Sequence, residues 1–484
     1  MPQRVKSIPK MVRNKKTSAE ALRFTAASFD EPELLFSSGY RHVNPKVGIP
    51  LHGPRSLGSP RHKNEVHIGF IGTGDSVEVV QKYLEACTLG VAGESYHYSF
   101  PGCTHDLGFR TEVRMSSALI EKLTHKEITD LVGIEHQKER FEEALGLLMT
   151  KMELLCNRDH PLDYVMVVLT EDLYNKLRVA EYQDDTGMVH RDLRRALKAR
   201  AMRLKKPTQI FRDTTTDMVP SNRPLEKSAT RAWNLFTAMY FKGGGLPWGP
   251  IGINPSTCYI GVSFYRPLGE SSQVRSSVVR AFDEHGEGLV LRGQKFDWNE
   301  EELGKSPHLP REHAAKLVEA ALELYQRERH QLPVRVIVHK SSRFERDERA
   351  GFESALSKVS EYDLVSVSPI SDVRLLRTGK YPPLRGTVLK IEQERYLYTT
   401  GYIPSIQAYP HGHVPSPLRI VDHVGDTPLD EILREILILT KMNWNSANMD
   451  GLMPITLTFS RAVGDIIREI PDDVEPETKY IYYM

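Results

Sequence analysis

Residues 190–248 read HRDLRRALKARAMRLKKPTQIF, then a polar loop, then ATRAWNLFTAMYFKGGGLPW. The first part has the pattern of a basic helix, in which Arg191, Arg194, Arg195, Lys198, Arg200, Arg203, Lys205 and Lys206 follow turn after turn. Arg194 and Lys198 stand four apart, so a helix puts them on one face. Pro207 stops that helix, and Thr208-Gln209-Ile210-Phe211 reads as a short strand. A second helix over 229–241 ends at Lys242 and a run of glycines, which is a C-terminal stop. A basic helix is most often a solvated face. Here, however, two cations of one helix, an amide at a strand edge and a lysine closing the next helix can converge on one anion. A terminal phosphate suits them, because it offers several oxygens to charge-assisted donors at once.

The length of 484 residues suffices for two or three domains with substantial cores. With 64 basic and 63 acidic residues the net charge is +1, so any nucleic-acid footprint has to come from local patches. Cys87, Cys103, Cys156 and Cys258 are scattered without a CxxC pair. That points to a reducing cytoplasm, and away from a disulfide framework or a zinc ribbon. No apolar run approaches the roughly 20 residues a membrane span needs, so no membrane partner is expected. The basic start MPQRVKSIPKMVRNKK has no apolar core behind it and reads as an arm, not a secretory signal.

Residues 1–60 read as an N-terminal extension in which HVNPKVGIPLHGPRSLGSP forms an extended strap with turns at its prolines. From Val66 a regular α/β pattern begins. HIGFIGTG is an apolar run opening on glycines, and DSVEVVQKYLEACTLG continues as a helix. The order of Gly69, Gly72 and Gly74 is G-x-x-G-x-G, not the G-x-G-x-x-G of a dinucleotide-binding turn, so a tight strand-to-helix turn is expected. FRTEVRM reads as a strand, followed by helices over 118–131 and 138–155. DYVMVVLT is a continuous apolar run, the mark of a buried parallel strand. Together, 61–245 make a doubly wound domain with its ligand at the carboxyl ends of the strands. Beyond 246, CYIGVSFYR, a hairpin turning at His285-Gly286, VRVIVHKSSRF, YDLVSVSPI and RGTVLKIEQERYLYTTGYI supply strands. REHAAKLVEAALELYQRERH and ERDERAGFESALSKV supply helices. That order is the order of an RNase H-like fold.

Arg194-x-x-x-Lys198, Gln209 eleven residues later and Lys242 before a Gly-rich stop resemble the guide pocket of Argonaute MID domains. CYIGVSF, VIVHKSSRFERDERAGFESAL, SPLRIVDHVGDTPLDEILREILILTKMNWN and MPITLTFSRAV resemble successive PIWI motifs, in the right order behind that pocket. The resemblance covers about 65–484 and leaves no room for N-terminal and PAZ domains. The chain is therefore similar to short prokaryotic Argonautes. It implies an α/β protein with a Rossmann-like MID domain over 61–245 and an RNase H-like PIWI domain over 246–484.

The resemblance implies that Arg194, Lys198, Gln209 and Lys242 grip the 5′-phosphate of a guide. A magnesium ion would be held by Gln209 and the C-terminal carboxylate of Met484, and Arg194 would stack on the first guide base. The guide would be RNA and the target single-stranded DNA. Slicing Argonautes hold two metal ions with carboxylates, but the matching positions here carry Ser263, Ser341 and Ser460, with Phe459 beside the last. Serine cannot replace an ionised carboxylate on magnesium, so PIWI is expected to bind and not to cut. Asp347, Glu348, Asp422 and Asp426 read as solvated or helix-start acids. His339, His411, His413 and His423 lack the spacing of a zinc site. Such a chain implies a role in prokaryotic antiviral defence, as a heterodimer with an APAZ-containing effector that carries a TIR, sirtuin-like or nuclease domain. Two readings stand beside it: a stand-alone nuclease of RNase H type, and a nucleotide-binding regulator using Gly69–Gly74.

Overall fold

A computed structural model describes residues 23–484 other than 95–96, 186, 270–272, 281–287, 408 and 410–413. The basic arm, the His285-Gly286 turn and the His411/His413 pair lie outside the described residues. The architecture is α/β, built on two main sheets.

The smaller sheet has five strands. Thr208–Arg212, Tyr164–Leu169, Glu65–Gly72 and Glu112–Arg114 lie in that order, and Ile120–Lys122 also pairs with Glu65–Gly72. All its pairings are parallel. YVMVVL forms its buried centre because helices cover both faces, so every side chain of that strand is out of water. Gly72 is needed at the strand-to-helix turn, since a Cβ there would lie 2.7 Å from the Val168 carbonyl oxygen. Thr73 then caps the helix Gly74–Thr88 by accepting the Ser76 N–H at 3.1 Å.

The larger sheet has nine strands, in the order Phe24–Ser28, Thr387–Ile391, Glu394–Leu397, Leu418–Gly425, Glu361–Pro369, Arg335–Lys340, Thr257–Tyr265, Gln273–Arg280 and Leu289–Asp297. The three strands Thr257–Tyr265, Arg335–Lys340 and Glu361–Pro369 run parallel, and antiparallel strands flank them. Helices Arg311–Arg329 and Arg346–Leu356 pack together over one apolar cluster that includes Leu317, Val336 and Phe352. Helix Ile455–Ile467 packs on the strand Thr257–Tyr265, and its approach is close: a Cβ on Gly261 would meet the Thr456 carbonyl oxygen at 2.2 Å. A continuous core joins the two sheets through Val66, Trp233, Trp248, Tyr259, Trp444 and Met484.

Three local readings are corrected. The proline-rich strap is not extended throughout, because Pro45–His52 is a helix. Pro45 sits at its start, where a missing N–H costs nothing, and Asn44 caps it by accepting the Lys46 N–H at 2.9 Å. The expected helix over 118–131 is broken into a turn, the strand Ile120–Lys122 and the helix His125–Gly133. A capping box between Thr124 and Glu127 sets that later start. Finally, His190 and Arg191 are not helical. They close a hairpin of Val179–Asp184 with Gly187–Asp192, and the helix itself is Leu193–Ala201, capped by Asp192.

Candidate functional site

Four of the eight cations of the basic stretch pair with acids of the same chain. Arg191 is buried between Glu142 and Glu469, Arg195 donates to Asp465 at 2.8 Å, and Arg200 and Arg203 pair with Glu142 and Glu153. The face was thus neither simply solvated nor all available to a ligand. Two members of the expected set behave differently: Lys198 and Lys242 are each only 3% exposed and have no carboxylate side chain as partner among the described residues.

The expected residues do come together. Lys198 projects from Leu193–Ala201 and donates to the Thr208 carbonyl oxygen at 2.8 Å and to the backbone oxygen of Met484. Lys242, the last residue of the helix Ser228–Lys242, donates to the same Thr208 oxygen at 3.3 Å and to the Gln209 side-chain oxygen. One carbonyl at the start of the strand Thr208–Arg212 therefore joins two ammonium groups. The stop behind Lys242 is compact, with Gly244 at φ +102°, a region that suits glycine.

Burial pushes the Lys242 ammonium down to about 7, and the Arg194 charge adds to that. Burial also holds Lys198 well below the ordinary lysine range, with further repulsion from Lys242 and Arg194. Arg194 is exposed and, together with Gln209, lines an open cavity of about 600 Å³ that Arg212, Arg223, Arg231 and Tyr83 also border. Neither lysine lines it; both lie against protein oxygens instead. Desolvated cations that repel one another are stabilised by an arriving anion, so the arrangement favours an anion over a neutral ligand.

Met484 is buried, and the preceding turn Tyr480–Tyr483 carries it into this cluster. The Phe459 and Tyr480 rings stack at 3.9 Å, tying the turn to the helix Ile455–Ile467. Gln209 and Met484 present the two oxygens read as metal ligands, and both now accept from ammonium groups.

On the larger sheet Ser263 lies in Thr257–Tyr265, and Ser341 follows Arg335–Lys340 and is exposed. Ser460 is buried and donates to the Leu457 carbonyl oxygen at 3.2 Å. Nearby acids are otherwise engaged. Glu348 stands in the first turn of the helix Arg346–Leu356, as a helix-start acid, but it is fully buried against Lys340 and accepts the Leu309 N–H at 2.9 Å. Asp422 accepts the Phe344 N–H at 3.4 Å. Among the described residues no group of three His, Cys, Asp or Glu side chains is placed to hold a metal ion. His339 is buried 2.9 Å from the Thr456 hydroxyl, and burial holds it neutral at about 4; His423 pairs with Asp363 at 3.0 Å. No helix among the described residues is long and apolar enough to cross a membrane.

No family model matches the chain. The protein argonaute of Thermus thermophilus is 30% identical over 152 residues, which make up 30% of this chain and 20% of that protein. The structure of Clostridium butyricum Argonaute bound to a guide DNA and a 19-mer target DNA aligns with a TM-score of 0.62 at 16% identity, covering 93% of this chain and 54% of that one. A. aeolicus Argonaute aligns with a TM-score of 0.56 at 17% identity, covering 95% and 55%. The chain thus spans about half the length of the solved chains it matches. The local sequence match is to an Argonaute, and the chain shares the α/β fold of these Argonaute MID–PIWI structures.

Proposed function

We propose that the chain binds a 5′-phosphorylated guide, RNA in kind, and pairs it with a single-stranded DNA target. The observation that carries this reading is the convergence of Lys198, Lys242 and Gln209 on the start of one strand, with Arg194 at the mouth of the adjoining cavity. The lysines supply charged donors to the phosphate, Gln209 an amide, and Arg194 a flat cation for the first base. Magnesium is part of the proposal. Gln209 and the Met484 carboxylate offer the oxygen donors that such an ion takes, and the ion would enter with the phosphate, whose charge offsets both it and the lysines.

The Lys242 value sets a pH dependence. Phosphate binding needs the charged ammonium, which in the free protein is about half deprotonated by about pH 7. A bound phosphate dianion raises that value, so binding takes up a proton. Affinity for a 5′-phosphorylated guide should therefore fall as pH rises above about 7, by up to about tenfold per unit for one linked proton. Affinity for the 5′-hydroxyl guide should stay level. Parallel profiles for the two guides would contradict the assignment.

The PIWI half is proposed to recognise and not to cut, since serines stand at all three positions and Glu348 is consumed by Lys340. Output then passes to a partner in the cytoplasm, an APAZ-containing effector with a TIR, sirtuin-like or nuclease domain, in an antiviral defence system. One assay tests both parts. Guide-loaded chain with complementary DNA in magnesium or manganese should leave the DNA intact. With the coexpressed partner, NAD loss or DNA degradation should start only when target is added. Cleavage opposite the guide by the pure chain would overturn the first part, and a partner equally active without target the second.

A further inference from the structure

The tail that brings Met484 to Lys198 is also held at its other end. It runs along the strand Leu289–Asp297, with the Val290 N–H on the Thr478 carbonyl oxygen at 2.8 Å and the Tyr480 N–H on that of Gly288 at 3.1 Å. Farther back, Asp472 accepts from Arg275 at 3.1 Å and from Lys295, while Arg292 donates to the Pro471 carbonyl oxygen at 3.2 Å.

Backbone register explains why these cations meet. Tyr265 pairs with Arg275, which pairs with Lys295; Ser263 pairs with Ser277, which pairs with Arg292. Residues three apart on a regular strand face opposite sides. Lys295 and Arg292 share a side because the register shifts between these pairs, as an extra residue in one strand produces. Gly293 sits in that shift, where a Cβ would lie 2.0 Å from the Ser276 hydroxyl. The cations therefore lie on the same sheet face as Ser263, two residues along its strand.

The donors are desolvated, but their cover is not. Arg275 is 13% exposed and Lys295 22%, against 51% for Asp472. Among the described residues, Arg275 Nε and Arg292 Nε and Nη2 are buried without a hydrogen-bond partner. Pro471 and Asp472 also border an open cavity of about 930 Å³, so the carboxylate has room to swing away.

We propose that Arg275, Arg292 and Lys295 form a second phosphate site, for the sugar–phosphate backbone of the bound nucleic acid, and that Asp472 closes it in the free chain. A phosphodiester in place of Asp472 takes over the carboxylate's two bonds and brings an oxygen to the orphaned guanidinium donors, which forked geometry favours. The site rests on the guide-binding reading but is separate from Lys198 and Lys242.

The test uses the full chain and a 3′-fluorescein single-stranded RNA with a 5′-hydroxyl, which does not engage the terminal-phosphate pocket. Asp472→Asn should tighten binding roughly fivefold, the scale of one partly exposed charged contact. It should also steepen the dependence of log K on log salt by about 0.7, one added phosphate contact on a single strand. Lys295→Gln, on a partly exposed side chain that the fold tolerates, should weaken binding and cancel the gain when combined with Asp472→Asn. An Asp472→Asn chain with unchanged or weaker affinity, or an unchanged salt slope, would overturn the proposal. Failure of the guide-pocket reading would show separately, as equal binding of 5′-phosphate and 5′-hydroxyl RNA whatever residue 472 is.

Discussion

Lys242→Ala should lower affinity for a 5′-phosphorylated guide by on the order of 1.5–3 kcal/mol, about tenfold to more than a hundredfold, and leave a 5′-hydroxyl guide unaffected. The size follows from burial: Lys242 is 3% exposed, so no water replaces the donor that the phosphate loses. Stability should move the other way or not at all. In the free chain the ammonium is repelled by Arg194 and itself holds Lys198 down, and its partners are neutral oxygens. Removing it relieves that repulsion. Lys242→Met keeps the volume and should behave alike. Guide titrations with both 5′ ends, beside a thermal melt, check the pair of outcomes. A variant that melts early and loses both guides equally would mean that Lys242 serves the fold and not the phosphate.

Glu31→Ala should cost about 3–5 kcal/mol of stability, as removing one partner of a buried ion pair does. Its carboxylate accepts from Arg385 at 2.9 Å and from Lys441 at 2.7 Å, and both cations are 1% exposed. Burial alone would raise the Glu31 carboxyl, but Arg385 and Lys441 overcome it and hold it low. The contribution is therefore present above the ordinary glutamate range and is lost as pH falls through the lowered value. Lys441 also donates to the Val43 carbonyl oxygen at 2.7 Å, so Glu31 fastens the start of the described chain beside the Trp248–Lys441 contact. Denaturant midpoints at neutral pH read the effect, and a shift worth under about 1 kcal/mol would mean the pair is solvated.

The elements that carry Arg194, Lys198, Gln209 and Lys242 were legible because local rules place them: helical spacing for the first two, Pro207 for the strand start and the glycines for the helix end. The Thr208 carbonyl that joins both ammonium groups was not, since that contact is long-range. Arg191 was misread for a related reason. It continues a run of basic residues, yet it belongs to a hairpin and is buried on Glu142 and Glu469, partners far away in sequence. Pro45 signalled a turn when read by composition and a helix start when read by position, and Asn44 before it was the clue. Glu348 was legible as a helix-start acid, but its burial against the Lys340 side chain was not. Nor could Arg275, Arg292 and Lys295 be grouped, because the register shift that aligns them follows from strand pairing and not from alternation.

The most direct test of the account is a comparison of one RNA guide with a 5′-phosphate and with a 5′-hydroxyl, bound by the unmutated chain near pH 7. Binding should be about tenfold or more tighter for the phosphorylated strand, since the phosphate meets two buried ammonium groups. Equal affinities would contradict the account.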